Sequence, residues 1–342
     1  MKTNAREVPG IPLIWRIIPL NRPQKETLKR ILFGGFSFLF NGLPQYHQWK
    51  ASRVFSEPLS MPWQPIFWEK IRTNRYLITL AAVPTPPPTT GSDNRLAVVI
   101  HAFYPDILLE LLERLEASRP PALKLFITCP ISEQPAVEQL LQQFSFEYFI
   151  LVVDNRGRDI LPFIKILPQI VKEDFPLLLK LHTKRSNYRN RKALWKDDLF
   201  DKLVGSEQLF NSIRVLEVFP SIGILGPENH VVPMGLYYGA NAERVKRLSH
   251  QLGLKDAQLR QLNFVAGSMF YARTAAMLPL LTLSWKDTDF EEEAGQVDGT
   301  LAHAVERAFS SSARAAGMLL ADTSSTPTKP RCTVNLEHFF TQ

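Results

Sequence analysis

The chain has 342 residues, 45% of them apolar, and carries 40 basic against 33 acidic side chains, a formal net charge of +7. That length and apolar content exclude a disordered protein and allow one large domain with or without an appendage. The positive balance favours anionic partners (nucleic acid, phosphate-bearing small molecules or an anionic membrane surface), with simple solubilisation of the surface as the plain alternative. Only Cys129 and Cys332 occur, in no metal-ligand spacing, so neither a disulfide framework nor a zinc site is expected and a reducing cytosol fits. No window approaches the roughly 20 apolar residues that span a bilayer. Prolines interrupt the N-terminal apolar run where a signal peptide would be continuous, so secretion is not expected either.

Residues 1–83 read as an irregular, aromatic-rich extension. Its segment LKRILFGGFSFLFNGL, residues 28–43, fits a hydrophobic arm packed on the main domain or an interfacial anchor whose Lys29 and Arg30 meet anionic headgroups. The run PTPPPTTGSDN, residues 84–94, sustains neither helix nor central strand and reads as a linker.

Beyond it the pattern alternates. LAVVIHAF, LKLFIT, YFILVV and PLLLKLHT read as buried strands, separated by the helical segments PDILLELLERLEAS, EQPAVEQLLQQF and ILPFIKILPQIVKE. Such spacing implies right-handed βαβ crossovers and a mainly parallel sheet flanked by helices, a Rossmann-like α/β fold. Ligands of such sheets bind beyond the carboxyl ends of the strands, and there the polar clusters fall: HAFYPD (residues 101–106), DNRGRD (154–159) and HTKRS (182–186).

DNRGRD lacks the three-glycine dinucleotide fingerprint and the GxxxxGK(S/T) phosphate loop, which argues against a Rossmann dehydrogenase and a P-loop NTPase. Gly157 permits close backbone approach or positive φ. Arg156 and Arg158 suit bidentate contact with phosphate, and Asp154 or Asp159 suits a ribose, a base edge or a metal. The same residues also read as a local Asp–Arg network in which Asp159 caps the helix starting at Ile160. In HTKRS, His182, Lys184 and Arg185 suit the neutralisation of a departing diphosphate, or form an ordinary basic turn.

Further on, GQVDGTLAHAVERAF sets Asp298 just before a helix, where the dipole keeps a carboxylate ionised and fit for a general base or a cap. His303 and Glu306 share one helical face and read as structural rather than as a metal pair. The literal Asp-x-Asp at Asp287–Asp289 lies in an acidic loop rather than after a buried strand, which counts against it as a metal and diphosphate motif.

In this order, HAFYPD, NRGRDILPF, KLHTKRS, VAGSMFYAR and VDGTLAHAVER resemble the rhamnan synthesis protein F family over residues 96–309. The resemblance implies a GT-A-like glycosyltransferase domain, over residues 95–317, followed by a tail at 318–342. It implies a nucleotide-sugar donor such as dTDP-L-rhamnose and a growing, lipid-linked cell-surface glycan such as O-antigen as acceptor, with no nucleic acid. The place of work would be the cytoplasm, with peripheral contact at the inner face of the membrane. Carried onto this sequence, it puts His101, Phe103, Tyr104 and Asp106 at the nucleotide and Asn155, Arg158, Asp159, His182 and Lys184 at the diphosphate. Gly267, Ser268 and His303 would face the acceptor. Inversion at the sugar requires one base: Asp298 is the first candidate, Glu292 or Glu293 the second. HTK stands where this fold usually carries Asp-x-Asp, so Mg²⁺ or Mn²⁺ stays an open requirement. A metal-dependent hydrolase using Asp298 and His303, and a non-catalytic nucleotide- or glycan-binding protein, are the alternatives.

Overall fold

The structure is a computed structural model that describes residues 66–72, 75–80, 95–118, 122–183, 191–259, 261–296 and 298–335. The segment at 28–43, the linker at 84–94 and Lys184 lie outside these residues. Two strands, β1 (Ile66–Arg72) and β2 (Arg75–Leu80), come first. The alternating series follows as β3 (Leu96–His101), α1 (Pro105–Ser118), β4 (Leu123–Pro130), α2 (Gln134–Leu141), β5 (Glu147–Val153), α3 (Ile160–Lys172) and β6 (Leu177–His182). Then come α4 (Arg191–Val204), α5 (Ser206–Val218), β7 (Ile222–Gly226), β8 (Val231–Pro233), α6 (Ala242–Gln251), β9 (Asn263–Val265) and β10 (Phe270–Arg273). The 15-residue α7 (Leu301–Ala315), β11 (Leu319–Asp322) and β12 (Arg331–Asn335) complete the described chain.

The main sheet runs β11-β7-β10-β6-β3-β4-β5, parallel except for β10, which is antiparallel to both neighbours. Every residue of β3 and β6 is buried, because helices cover both faces of the sheet's centre; such strands read as continuous apolar runs rather than alternations. In α1, Leu108, Leu111, Leu112 and Leu115 are all fully buried, the i, i+3, i+4 stripe that a core-facing helix needs. Each such side chain contributes roughly 1.5–3 kcal/mol over leaving it in water.

The order of strands fixes where a site can form. From β3 the chain steps outward to β4 and β5, then α3 carries it back across to β6 on the other side of β3. The connection reverses between β3 and β6, and ligands of open α/β sheets bind beyond the carboxyl ends of the strands at such a switch point.

Residues 318–342, expected to be a tail, instead supply strands to two sheets. β11 joins the main sheet beside β7, and β12 enters a second sheet of order β1-β2-β12-β8-β9. Strands of four and five residues are too short to show a period above the surrounding Ser, Thr and Pro, which hid them in the sequence. The second sheet also takes β2 from within the stretch read as an irregular extension.

Candidate functional site

His101 and His182 are register partners at the carboxyl ends of β3 and β6, and both are buried. Thr183 ties the two strand ends together. Its N–H donates to His101 O (3.0 Å), while its hydroxyl accepts from Phe103 N and Tyr104 N, both at 2.8 Å. The HAFYPD turn is thereby fixed, with the Phe103 and Tyr104 rings edge to face at 4.9 Å. His101 Nδ1 meets Thr128 Oγ1 of β4 at 3.0 Å. Burial pushes His101 down to about 4, with Asp159 opposing the fall, so its ring is neutral at pH 7.

Asp159 does not cap its helix: its side chain makes no capping bond to α3. It turns inward to Lys180 of β6, whose Nζ donates to Oδ2 at 2.5 Å and to Ser268 O at 2.9 Å. Ser268 Oγ donates to the same Oδ2 at 2.5 Å. His182 Nδ1 stands 3.4 Å from Oδ2, an electrostatic contact whose geometry falls short of a hydrogen bond. Burial disfavours the Asp159 carboxylate, but the charges of His182 and Lys180 outweigh it and hold the group well below the usual range. Lys180 is itself only 1% exposed and lies 5.5 and 5.6 Å from the Phe163 and Phe309 ring centres. A buried lysine persists only with such partners.

The two arginines of DNRGRD already have protein partners. Arg156 donates to Phe290 O (2.9 Å) and pairs with Glu292 (3.0 Å). Arg158 donates to Gln296 O, meets His303 Nε2 at 2.9 Å and lies 3.4 Å from Glu293. Together they hold the loop of residues 290–296 down on the strand end. Gly157 makes the approach possible: at φ +69°, a β-carbon there would stand 2.6 Å from Leu161 Cβ and 2.8 Å from the Phe290 ring. Because a guanidinium only donates, His303 Nε2 must accept and Nδ1 then carries the proton toward Thr300 Oγ1, 2.7 Å away. Thr300, not Asp298, is the N-cap of α7.

Asp298 faces the GLYYGAN loop. Oδ2 accepts from Ala240 N (2.9 Å), Oδ1 accepts from Asn241 Nδ2 (2.7 Å), and Arg307 approaches Oδ1 at 3.5 Å. Arg307 also donates to His303 O and Tyr237 O, both at 2.6 Å. Glu306 accepts from Gly267 N at 2.8 Å, next to Ser268. The first half of α7 therefore joins the Asp159 cluster, the arginine loop and Asp298 through His303, Glu306 and Arg307.

Of the remaining sequence candidates, Asp106 and Asn155 are exposed and Phe103 and Tyr104 half-buried at the same end of the sheet. Sequence reasoning passed over Lys180, Thr183, Thr128, Glu291 and Arg307. Lys180 had a signal, a lone cation inside the apolar run LLLKLH. Glu291 had none apart from its acidic neighbours, yet its carboxylate accepts from Leu301 N at the start of α7 (2.8 Å) and pairs with Arg244 (2.5 Å). The Asp287–Asp289 motif forms a surface turn in which Asp287 pairs with Lys165 (2.5 Å) and Asp289 accepts from Lys286 N. Among the described residues, no group of three His, Cys, Asp or Glu side chains is placed to hold a metal ion. No helix among them is long and apolar enough to cross a membrane.

The site combines an ionised carboxylate, a neutral imidazole, a buried ammonium and the positive end of α3. That set can orient hydroxyl and phosphate groups of a ligand in the crevice.

The chain is 36% identical over 210 residues to "Uncharacterized protein WxcX" from each of two strains of Xanthomonas campestris pv. campestris, covering 61% of this chain and 30% of the relative. The chain thus spans less than a third of the length of these relatives. Among solved structures, 4-diphosphocytidyl-2C-methyl-D-erythritol synthase from Anaerococcus prevotii matches at a TM-score of 0.33 and 10% identity, over 59% of this chain and 82% of that one. The model of the family described as rhamnan synthesis protein F matches residues 58–318, most of the chain and every residue of the site described above. The chain belongs to the rhamnan synthesis protein F family.

Proposed function

We propose that this chain is a GT-A-like glycosyltransferase of polysaccharide synthesis, and within that class a rhamnosyltransferase. It takes dTDP-L-rhamnose or a similar nucleotide sugar as donor and a lipid-linked, growing glycan as acceptor. The observation that carries the reading is the buried cluster of His101, Asp159, Lys180, His182 and Ser268 at the switch point between β3 and β6. Membership of a family of rhamnan synthesis proteins supplies the sugar chemistry. In the reaction the acceptor hydroxyl oxygen bonds to the anomeric carbon as that carbon's bond to the diphosphate breaks. The hydroxyl proton passes to a carboxylate, and the diphosphate leaves with the electron pair.

Asp298 is the proposed base, because among the described residues Oδ2 accepts one hydrogen bond, from Ala240 N, and keeps a lone pair for the acceptor hydroxyl. Glu292 and Glu293, engaged by the arginines, are the second choice. The diphosphate is proposed to lie against Arg158, His182 and the amino end of α3; Phe103, Tyr104 and Asp106 border the base and ribose. A donor that carries a diphosphate does not cross a bilayer, so the work is placed on the cytoplasmic face, next to the membrane that holds the acceptor.

The test is a thermal-shift panel of nucleotide sugars against the purified chain, with and without Mg²⁺. A ligand that binds only the folded state at 100 times its Kd stabilises it by about 2.7 kcal/mol. Stabilisation by one donor family supports the reading, and its dependence on Mg²⁺ decides the metal requirement. Stabilisation by glycans but by no nucleotide would make the chain a binding protein instead.

A further inference from the structure

Among the described residues, Asp159 is held by one oxygen. Lys180 Nζ and Ser268 Oγ donate to Oδ2, and His182 approaches the same atom. No described protein donor reaches Oδ1, yet it is not a sealed, orphaned atom, and 14% of the side chain stays accessible. That accessible part lies by the carboxyl ends of β3 and β6, where Lys180 and His182 approach Asp159.

The neighbours are arranged to keep it so. Lys180 uses its three N–H bonds on Asp159 Oδ2, Ser268 O and Ser268 Oγ (3.3 Å), so it has none left for a ligand. Phe163 and Phe309 confine it. Ser268 holds φ +53° after Gly267 at +88°, a backbone form that a serine adopts only where its surroundings demand it. That conformation aims its hydroxyl at Asp159. An ionised carboxylate oxygen without a proton accepts hydrogen bonds and donates none. A hydroxyl group is a donor of the kind that such an oxygen accepts.

We propose that Lys180 and Ser268 are positioning residues that clamp Asp159 by Oδ2, so that Oδ1 accepts a hydroxyl group of the bound sugar nucleotide. This rests on the reading of the chain as a sugar-nucleotide enzyme and adds which group recognises the hydroxyl and what aims it.

The test is calorimetric binding to the whole chain of three probes: a nucleotide sugar found in the thermal panel, its free nucleoside diphosphate, and that diphosphate lacking the ribose hydroxyls. The proteins are wild type, Asp159→Asn, Ser268→Gly and the double variant Lys180→Met with Asp159→Asn, in which no buried charge is left unpaired. A hydrogen bond to a charged group corresponds to roughly a ten- to hundredfold change in affinity, and Asp159→Asn is expected to lose that much. Ser268→Gly, which relaxes the backbone while removing the hydroxyl, loses less. The double variant melts near the wild type and binds as weakly as Asp159→Asn; Ser268→Gly lowers affinity with the melting temperature unchanged, a pattern that a merely structural residue would not give. If the loss is complete with the free diphosphate and disappears without ribose hydroxyls, Oδ1 holds the ribose; if it needs the attached sugar, Oδ1 holds the sugar. Tight binding that Asp159→Asn leaves intact overturns this inference alone, whereas a wild type that binds no nucleotide overturns it together with the proposed function.

Discussion

Asp298 rests against the α-carbon of Gly239: a β-carbon on that glycine would stand 1.9 Å from Asp298 Oδ2. Gly239 also holds φ +54°, so an alanine there is both strained and in collision with the carboxylate. Gly239→Ala is expected to lower stability by about 2 kcal/mol or more and to loosen the turn that presents Ala240 N and Asn241 Nδ2 to Asp298. Denaturant unfolding checks the stability. A melt equal to wild type would show that the turn and the carboxylate are not coupled.

Asp298→Asn separates the two parts this residue can play. As the base, its loss lowers kcat by two to four orders of magnitude while donor affinity stays within a factor of two or so. As an anchor for the 237–241 turn alone, it lowers donor affinity and turnover together, with a lower melting temperature. Parallel calorimetry and single-turnover kinetics give the answer.

Loss of the arginine clamp releases the loop of residues 290–296. Arg156→Ala with Arg158→Ala removes the contacts to Phe290 O, Glu292, Glu293 and Gln296 O. Limited proteolysis is expected to cut within that loop at a rate several-fold above wild type, because opening free energy governs cleavage of a local segment. An unchanged digestion pattern would mean that Phe290, buried beside Trp285, holds the loop alone.

Three buried groups give opposed pH dependences. Burial raises Asp322 to about 6, above its unfolded value, so its contribution is present at pH 4 and is lost as pH rises through 6. Burial lowers His101 to about 4, and it also lowers His230, whose Nε2 lies 2.6 Å from Asp198. Stability from these histidines is full above about pH 6.5 and lost as pH falls. The slopes partly cancel in the wild type. Asp322→Asn removes one of them and is expected to make stability rise with pH between 4 and 6 by roughly 2–3 kcal/mol more than in wild type. Urea melts at pH 4, 5 and 6 decide; equal slopes for the two proteins would mean that Asp322 does not titrate in this range.

The alternating half of the fold was legible because parallel strands covered on both faces write their burial into the sequence as unbroken apolar runs, from LAVVIH to LLLKLH. The position of the site followed from that, since DNRGRD and HTKRS could only sit at strand ends. What the two arginines hold was not legible. Arg156 meets Phe290 across 134 positions of sequence, and no local pattern pairs a loop with so distant a partner. Asp159 shows the limit from the other side: the helix start was read correctly at Ile160, but short-range reasoning left its side chain open between a ligand and a helix cap. Tertiary structure gave it to Lys180, a residue whose charge inside an apolar strand was the one visible sign that a buried anion must exist. The antiparallel β10 was hidden as well, because four residues of strand carry too little pattern to reveal direction.

The second sheet sets a timetable for synthesis. β12 pairs along its whole length with β2, from Arg331–Thr79 to Asn335–Arg75, so some 250 residues separate strands that lie side by side. On the ribosome, β2 emerges some 250 residues ahead of β12 and must wait, with that edge unpaired, until β12 has been made. Contacts of such high sequence separation form slowly, and an open edge invites pairing with other chains. A shortened chain that stops at 318, where the family match ends, would never close that edge; self-association of such a fragment would reflect the missing strand rather than a property of the intact protein.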